Sequence, residues 1–84
     1  MPHFHLDLHN FHIEATDPDG HDLPDLDAAH KLAIEGIRDF IGHEAFGGKI
    51  DLRGRIEIRD GLGKLLLTVP FRDAFECHVQ DAPH

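Results

Sequence analysis

The chain has a single cysteine, no serine and half as many basic as acidic residues. Each shortage excludes something. With Cys77 alone, no intrachain disulfide can form, and the chain suits a reducing compartment. Without serine, and with Thr16 and Thr68 as the only threonines, hydroxyl nucleophiles are nearly absent. Lys and Arg number 8 against 16 Asp and Glu, a formal charge of −8. Binding a phosphate backbone needs clustered cations. The densest basic group here, Arg53, Arg55 and Arg59, is interrupted by Asp51, Glu57 and Asp60. No apolar run approaches the ~18 residues of a membrane-spanning helix. The His-rich, acidic start has neither the basic nor the apolar region of a signal peptide. The expectation is a cytoplasmic, non-enzymatic protein that binds neither nucleic acid nor membrane.

What remains is a compact chain of 84 residues, 40% of them apolar, with room for one domain. A chain this short buries only about 60–65% of its unfolded surface, so its core is thin. Without a disulfide, the available reinforcements are a metal ion, a self-associating surface or a helix packed well on a sheet. Nine histidines link the charge to pH, because near pH 5 most are protonated and offset much of the −8.

From His3 to His9 the residues alternate. Phe4, Leu6 and Leu8 point one way, while His3, His5, Asp7 and His9 point the other, as in a half-buried strand. Phe11 and Ile13 either continue it past Asn10 or belong to a short second strand near residues 12–15. Asp17-Pro18-Asp19-Gly20 predicts a turn. Asp25 is the expected N-cap of one helix, with Asp27 complementing its dipole. Leu26, Ala29, Ala33, Ile37, Phe40 and Ile41 form its apolar stripe, widened by Leu32 and Ile34. Glu35 with Arg38, or Asp39 with His43, can pair along it. The helix is expected to stop at Gly47-Gly48. Gly36 lies inside it at a cost of roughly 1 kcal/mol relative to Ala, which predicts a close approach to the sheet.

Arg55–Arg59 and Leu65–Val69 alternate again around Asp60-Gly61-Leu62-Gly63, a hairpin signal. Simple alternation puts Leu65, Leu67 and Val69 on the inner face and Leu66 and Thr68 on the outer one. Pro70 ends the pairing, and Phe71, Ala74 and Phe75 suit a short helical clasp. The expected fold class is α+β: an antiparallel sheet of three to four strands with one helix on one face, in the order β-β-α-β-β. The domain spans residues 1–79, with a frayed tail at 80–84.

The chain resembles a family of small bacterial domains of unknown function, about 80 residues long. The resemblance rests on Met1-Pro2, His3-Phe4-His5-Leu6, Asp19-Gly20, Leu23-Pro24-Asp25-Leu26-Asp27-Ala28-Ala29 and Pro70-Phe71-Arg72-Asp73-Ala74. It covers nearly the whole chain and implies the fold without supplying catalytic residues. His9 and His12 are additions to the family's usual opening. A narrower resemblance, over about residues 23–40, is to HicB-type antitoxins, which also place Pro-Asp-Leu before a helix on a small sheet. It implies a regulator with a toxin partner.

Four groups of residues invite chemistry. His3, His5, Asp7 and His9 share one strand face, with i and i+2 about 6–7 Å apart. Imidazole and carboxylate are ligands for Zn, Ni or Cu, yet a strand spreads its ligands along a line, so convergence needs a neighbouring strand or subunit. The same row also forms the polar side of an amphipathic strand. Asp17, Asp19 and Asp22 lack the spacing of a calcium loop and suit a solvated acidic turn. Cys77 and His78 have the types of a thiolate pair, but strand neighbours point apart. Gly61-x-Gly63 is too short for a phosphate loop.

The function expected from these residues is a non-enzymatic binding or assembly module. It self-associates as a homodimer or meets a protein partner through an uncovered sheet face that includes His5, Leu66 and Thr68. The alternatives are a metal-binding domain using His3, His5, Asp7 and His9, and an antitoxin-like regulator.

Overall fold

The computed structural model describes residues 2–10, 14–48 and 51–75. The readings that involve Phe11, His12, Ile13, Cys77, His78 and the tail at 80–84 lie outside the described residues.

The order of elements is β1 (His3–His9), β2 (Glu14–Ala15), β3 (His21–Asp22), α1 (Leu26–Phe46), β4 (Arg55–Asp60) and β5 (Leu65–Pro70), followed by a 3₁₀ turn over Phe71–Ala74. The fold is α+β, as expected, with one helix on an antiparallel sheet. Among the described residues the sheet has five strands rather than three or four. β1 lies in the middle, with β4 and then β5 on one side and both β2 and β3 on the other.

The extra strand arises because residues 14–22 return along β1 as one interrupted strand. Leu8 pairs with Ala15, and Phe4 pairs with His21. Between those pairs, the five residues Thr16–Gly20 arch over the three residues His5–Asp7. The Asp17–Gly20 segment therefore does not reverse the chain, as a turn would. It bulges outward and lets the strand resume in the same direction. Gly20 supplies the left-handed backbone the arch needs, with φ of 68°.

α1 begins at Asp25, whose carboxylate accepts the Ala28 N–H at 2.9 Å. It ends where the Gly47 and Gly48 N–H groups bond the Glu44 and Ala45 carbonyls, with Gly48 at φ 84°. Ala29, Ala33, Ile37 and Ile41 are its buried stripe, flanked by Ile34 and Phe40. They meet Phe4, Ile56, Ile58 and Val69 from the sheet, and Phe71 and Ala74 from the 3₁₀ turn. Ile37, Ile58, Val69 and Phe71 are the largest fully buried side chains, each contributing roughly 1.5–3 kcal/mol.

Three expectations change. Gly36 is exposed, and a methyl there would meet only Ile56 Cδ1 at 3.9 Å, an ordinary contact, so no close approach explains it. The crowded glycine is Gly54: a side chain there would run into the Phe71 ring and Asn10. Its carbonyl accepts the Phe71 N–H at 2.9 Å, which fixes that ring over it. Second, Arg38 is not paired with Glu35 along the helix: its Nε–H donates to the Ala74 carbonyl at 2.7 Å and so ties the helix to the clasp.

The third change concerns β5. Arg59 pairs with Leu65 and Ile58 with Leu67, leaving Leu66 as the extra residue of a β-bulge. Leu66 thus packs against the core, and the outer position expected for it is corrected. Leu65 shares the outer face with Arg59 and is 44% exposed.

Candidate functional site

With α1 covering one face, the opposite face carries, among the described residues, the outward side chains of the strands. His3, His5, Asp7 and His9 come from β1, and Arg55, Glu57 and Arg59 from β4. Antiparallel register sets His5 opposite Arg59, Asp7 opposite Glu57 and His9 opposite Arg55. Thr68 of β5 lies opposite Glu57 on its other side.

Two carboxylates directly opposite each other repel. The arginines on either side of Glu57 resolve this. Arg55 Nε–H donates to Glu57 Oε2 at 3.1 Å, and Arg59 Nη2–H donates to Oε1 at 2.7 Å. Arg59 Nε also lies 3.7 Å from Asp7 Oδ2. His9 Nε2 adds a contact with Glu57 Oε1 at 3.3 Å. The hydrogen bonds from Arg55 and Arg59 hold the Glu57 carboxyl below its ordinary 4.5. Asp7 and Glu57 balance Arg55 and Arg59, so these four side chains of β1 and β4 carry no net charge in a chain of −8. The third arginine of the basic group, Arg53, is taken by Asp51 at 2.8 Å.

A second hub is Asp17, at the crown of the arch. Its Oδ2 accepts the Leu6 N–H and its Oδ1 the Gly20 N–H, both at 3.2 Å. Its own N–H donates to Asp7 Oδ1 at 2.9 Å, and its carbonyl accepts His5 Nδ1–H at 2.6 Å. His21 Nε2 lies 3.2 Å from Oδ2. Asp17 thus gives the Leu6 N–H of β1 the acceptor a regular strand partner would give where the arch leaves the ladder. It is not a solvated turn residue.

His3 sits at the end of the row. Its Nδ1 is 2.7 Å from Asp22 Oδ1, and its Nε2 is 2.9 Å from the Asp19 carbonyl. The Asp22 hydrogen bond leads in raising His3 above its ordinary 6.5 and in lowering Asp22 below its ordinary 3.8.

The proposed ligand row is therefore dispersed among hydrogen-bond partners. His3 and His5 do meet, edge to face, with ring centres 4.9 Å apart. Asp7 is drawn toward Arg59 and the Asp17 N–H, and His9 toward Glu57 and Glu14. Among the described residues, no group of three or more His, Cys, Asp or Glu is placed to hold a metal ion. Of the proposed interface residues, His5 is engaged with the arch, Leu66 faces the core and Thr68 is exposed.

Sequence reasoning missed Asp17, Glu57 and Arg59 as organising residues. A signal existed for two of them, since Arg55, Glu57 and Arg59 alternate on a strand whose inner residues are Ile56 and Ile58. Among the described residues, no helix is long and apolar enough to cross a membrane. No curated protein and no solved structure matches the chain. A family model does match residues 3–72, nearly the span of the expected resemblance, and the chain belongs to that family, the domain of unknown function DUF6894.

Proposed function

We propose that this domain is a non-enzymatic binding module that joins a second copy of itself through the edge of β5 that faces away from β4. The observation that carries this reading is the character of that edge. Among the described residues, β4 is the only strand paired with β5. The run Leu65-Leu66-Leu67-Thr68-Val69 bears no charge, in a chain carrying −8. Two copies meeting there bring no charged side chain of this run against its like. Leu65 and Thr68 are exposed on the strand, and Leu62 at the neighbouring hairpin tip is 97% exposed. Antiparallel pairing of β5 with its copy is self-complementary about a two-fold axis and joins the two sheets into one.

Native mass spectrometry with light scattering tests this, on the full chain before and after EDTA. The expected result is a metal-free dimer that Leu65→Lys/Thr68→Lys converts to a folded monomer, because cations then face each other across the edge. A monomer at high micromolar concentration, or a double variant that still dimerises, overturns the reading. A dimer lost on EDTA treatment overturns it in favour of the metal-binding alternative, and His3 and His5 are then the first residues to mutate.

A further inference from the structure

We infer that His3 is a proton-operated latch that holds the acidic arch and β3 against the edge of β1. The argument is one of donor count. Both ring nitrogens of His3 lie within hydrogen-bond distance of an oxygen: Asp22 Oδ1 at 2.7 Å and the Asp19 carbonyl at 2.9 Å. A carbonyl and an ionised carboxylate only accept. A neutral imidazole carries one N–H, and the imidazolium carries two. Only the protonated ring makes both bonds, so loss of its proton releases one of them.

The surroundings are shaped for this contact. Gly20 lies against the ring, and a side chain there would collide with His3 and with the Phe4 carbonyl. The groups facing His3 are Asp22 from β3, Asp17 and the Asp19 carbonyl from the arch, and the His5 ring from its own strand. From the β4–β5 hairpin, uncharged Gly61 is the neighbour. The adjacent Asp60 carboxylate is occupied by the Leu62 and Lys64 N–H groups at 2.9 Å each. His5 differs from His3 in that its one bond into the arch, to the Asp17 carbonyl, needs only the single N–H of a neutral ring.

The two partners fix the direction of the switch. His3 is raised, so its contribution is complete below its ordinary 6.5 and is lost as pH rises through the folded-state value. Asp22 is lowered, so its share is present above its ordinary 3.8 and is lost as pH falls through the folded-state value. The latch is closed in mild acid and opens on the alkaline side. Opening loosens the arch over His5–Asp7, where Asp17 covers the Leu6 N–H.

An NMR titration of the full chain tests this, following the histidine rings together with the amides of Gly20, His21 and Asp22. The expected result is that His3 titrates above the ordinary histidine value and that those amides shift with the same midpoint, while the Ile56 and Ile58 amides do not. In Asp22→Asn the His3 midpoint falls toward the ordinary value and the arch transition moves with it. In His3→Asn the arch transition is absent. The inference is overturned if His3 titrates at or below the ordinary value, if the amide step persists in His3→Asn, or if Asp22→Asn leaves the midpoint unmoved. None of these readings depends on the oligomeric state, so this test and that of edge pairing fail separately.

Discussion

The helix-facing and open faces of this sheet share strands and backbone, yet they are held together by different physics. On the inner face, Phe4, Ile56, Ile58 and Val69 meet Ala29, Ala33, Ile37 and Ile41, and no polar side chain among the described residues is buried. That contact is non-directional and independent of pH. On the open face, Glu57, Asp17 and His3 hold their neighbours by directional bonds to ionisable groups. Such bonds in partial contact with water add less stability but respond to protonation. The difference places the stability of the domain on one face and its sensitivity to conditions on the other.

Substitutions that act on each face separately sharpen this comparison. The largest effect is expected for Phe71→Ala, which empties the space between Phe40, Gly54 and the helix and costs about 3–5 kcal/mol at any pH where the chain is folded. Denaturant titrations at two pH values check it; a pH-dependent loss would blur the distinction between the faces. Gly54→Ala comes next. A methyl group there must displace the Phe71 ring and Asn10, at about 1–3 kcal/mol. Thermal melts should show the loss, and a neutral result would mean that the clasp is looser than the packing implies.

On the open face, Glu57→Gln is expected to cost on the order of 1 kcal/mol near neutrality. Its carboxyl is lowered by Arg55 first and Arg59 second. The stability it adds is therefore present above its ordinary 4.5 and is lost as pH falls through the folded value. Denaturant midpoints of wild type and variant should converge in acid; a difference that persists there would assign the effect to packing. The smallest change is favourable. Gly36→Ala removes a helix-interior glycine without a clash and should stabilise by about 0.5–1 kcal/mol. A destabilised variant would show that the helix lies closer to β4 than an ordinary contact.

Much of the fold was legible because period and punctuation are local. The alternation of Phe4, Leu6 and Leu8 assigned β1 its buried face. Asp25 and Gly47-Gly48 marked both ends of α1, and Asp60–Gly63 marked the hairpin. The misreadings share one cause, which is that a bulge is visible only against a partner strand. Strict alternation counts every residue and so turns Leu66 outward, whereas pairing with β4 leaves one residue out of count. Asp17-Pro18-Asp19-Gly20 has the composition of a reversal, and only the resumption of pairing at His21 shows that it is an arch. The histidine row was visible as a row, but its partners lie on β2, β3, β4 and the arch, at sequence separations that periodicity does not span.

The sequence by itself determined the inventory: an α+β chain, one amphipathic helix with caps, an N-terminal strand with its histidines on one side, and an excess of negative charge. These follow from residue type at fixed short spacing, which side-chain direction and backbone preference translate into local structure. Only the tertiary structure decided that Glu57 accepts from both Arg55 and Arg59, that Asp17 caps the Leu6 N–H of β1, and that both nitrogens of His3 are occupied. Those outcomes depend on strand order and register, which bring together groups distant in the chain. A shift of one residue would have turned each of them to the opposite face.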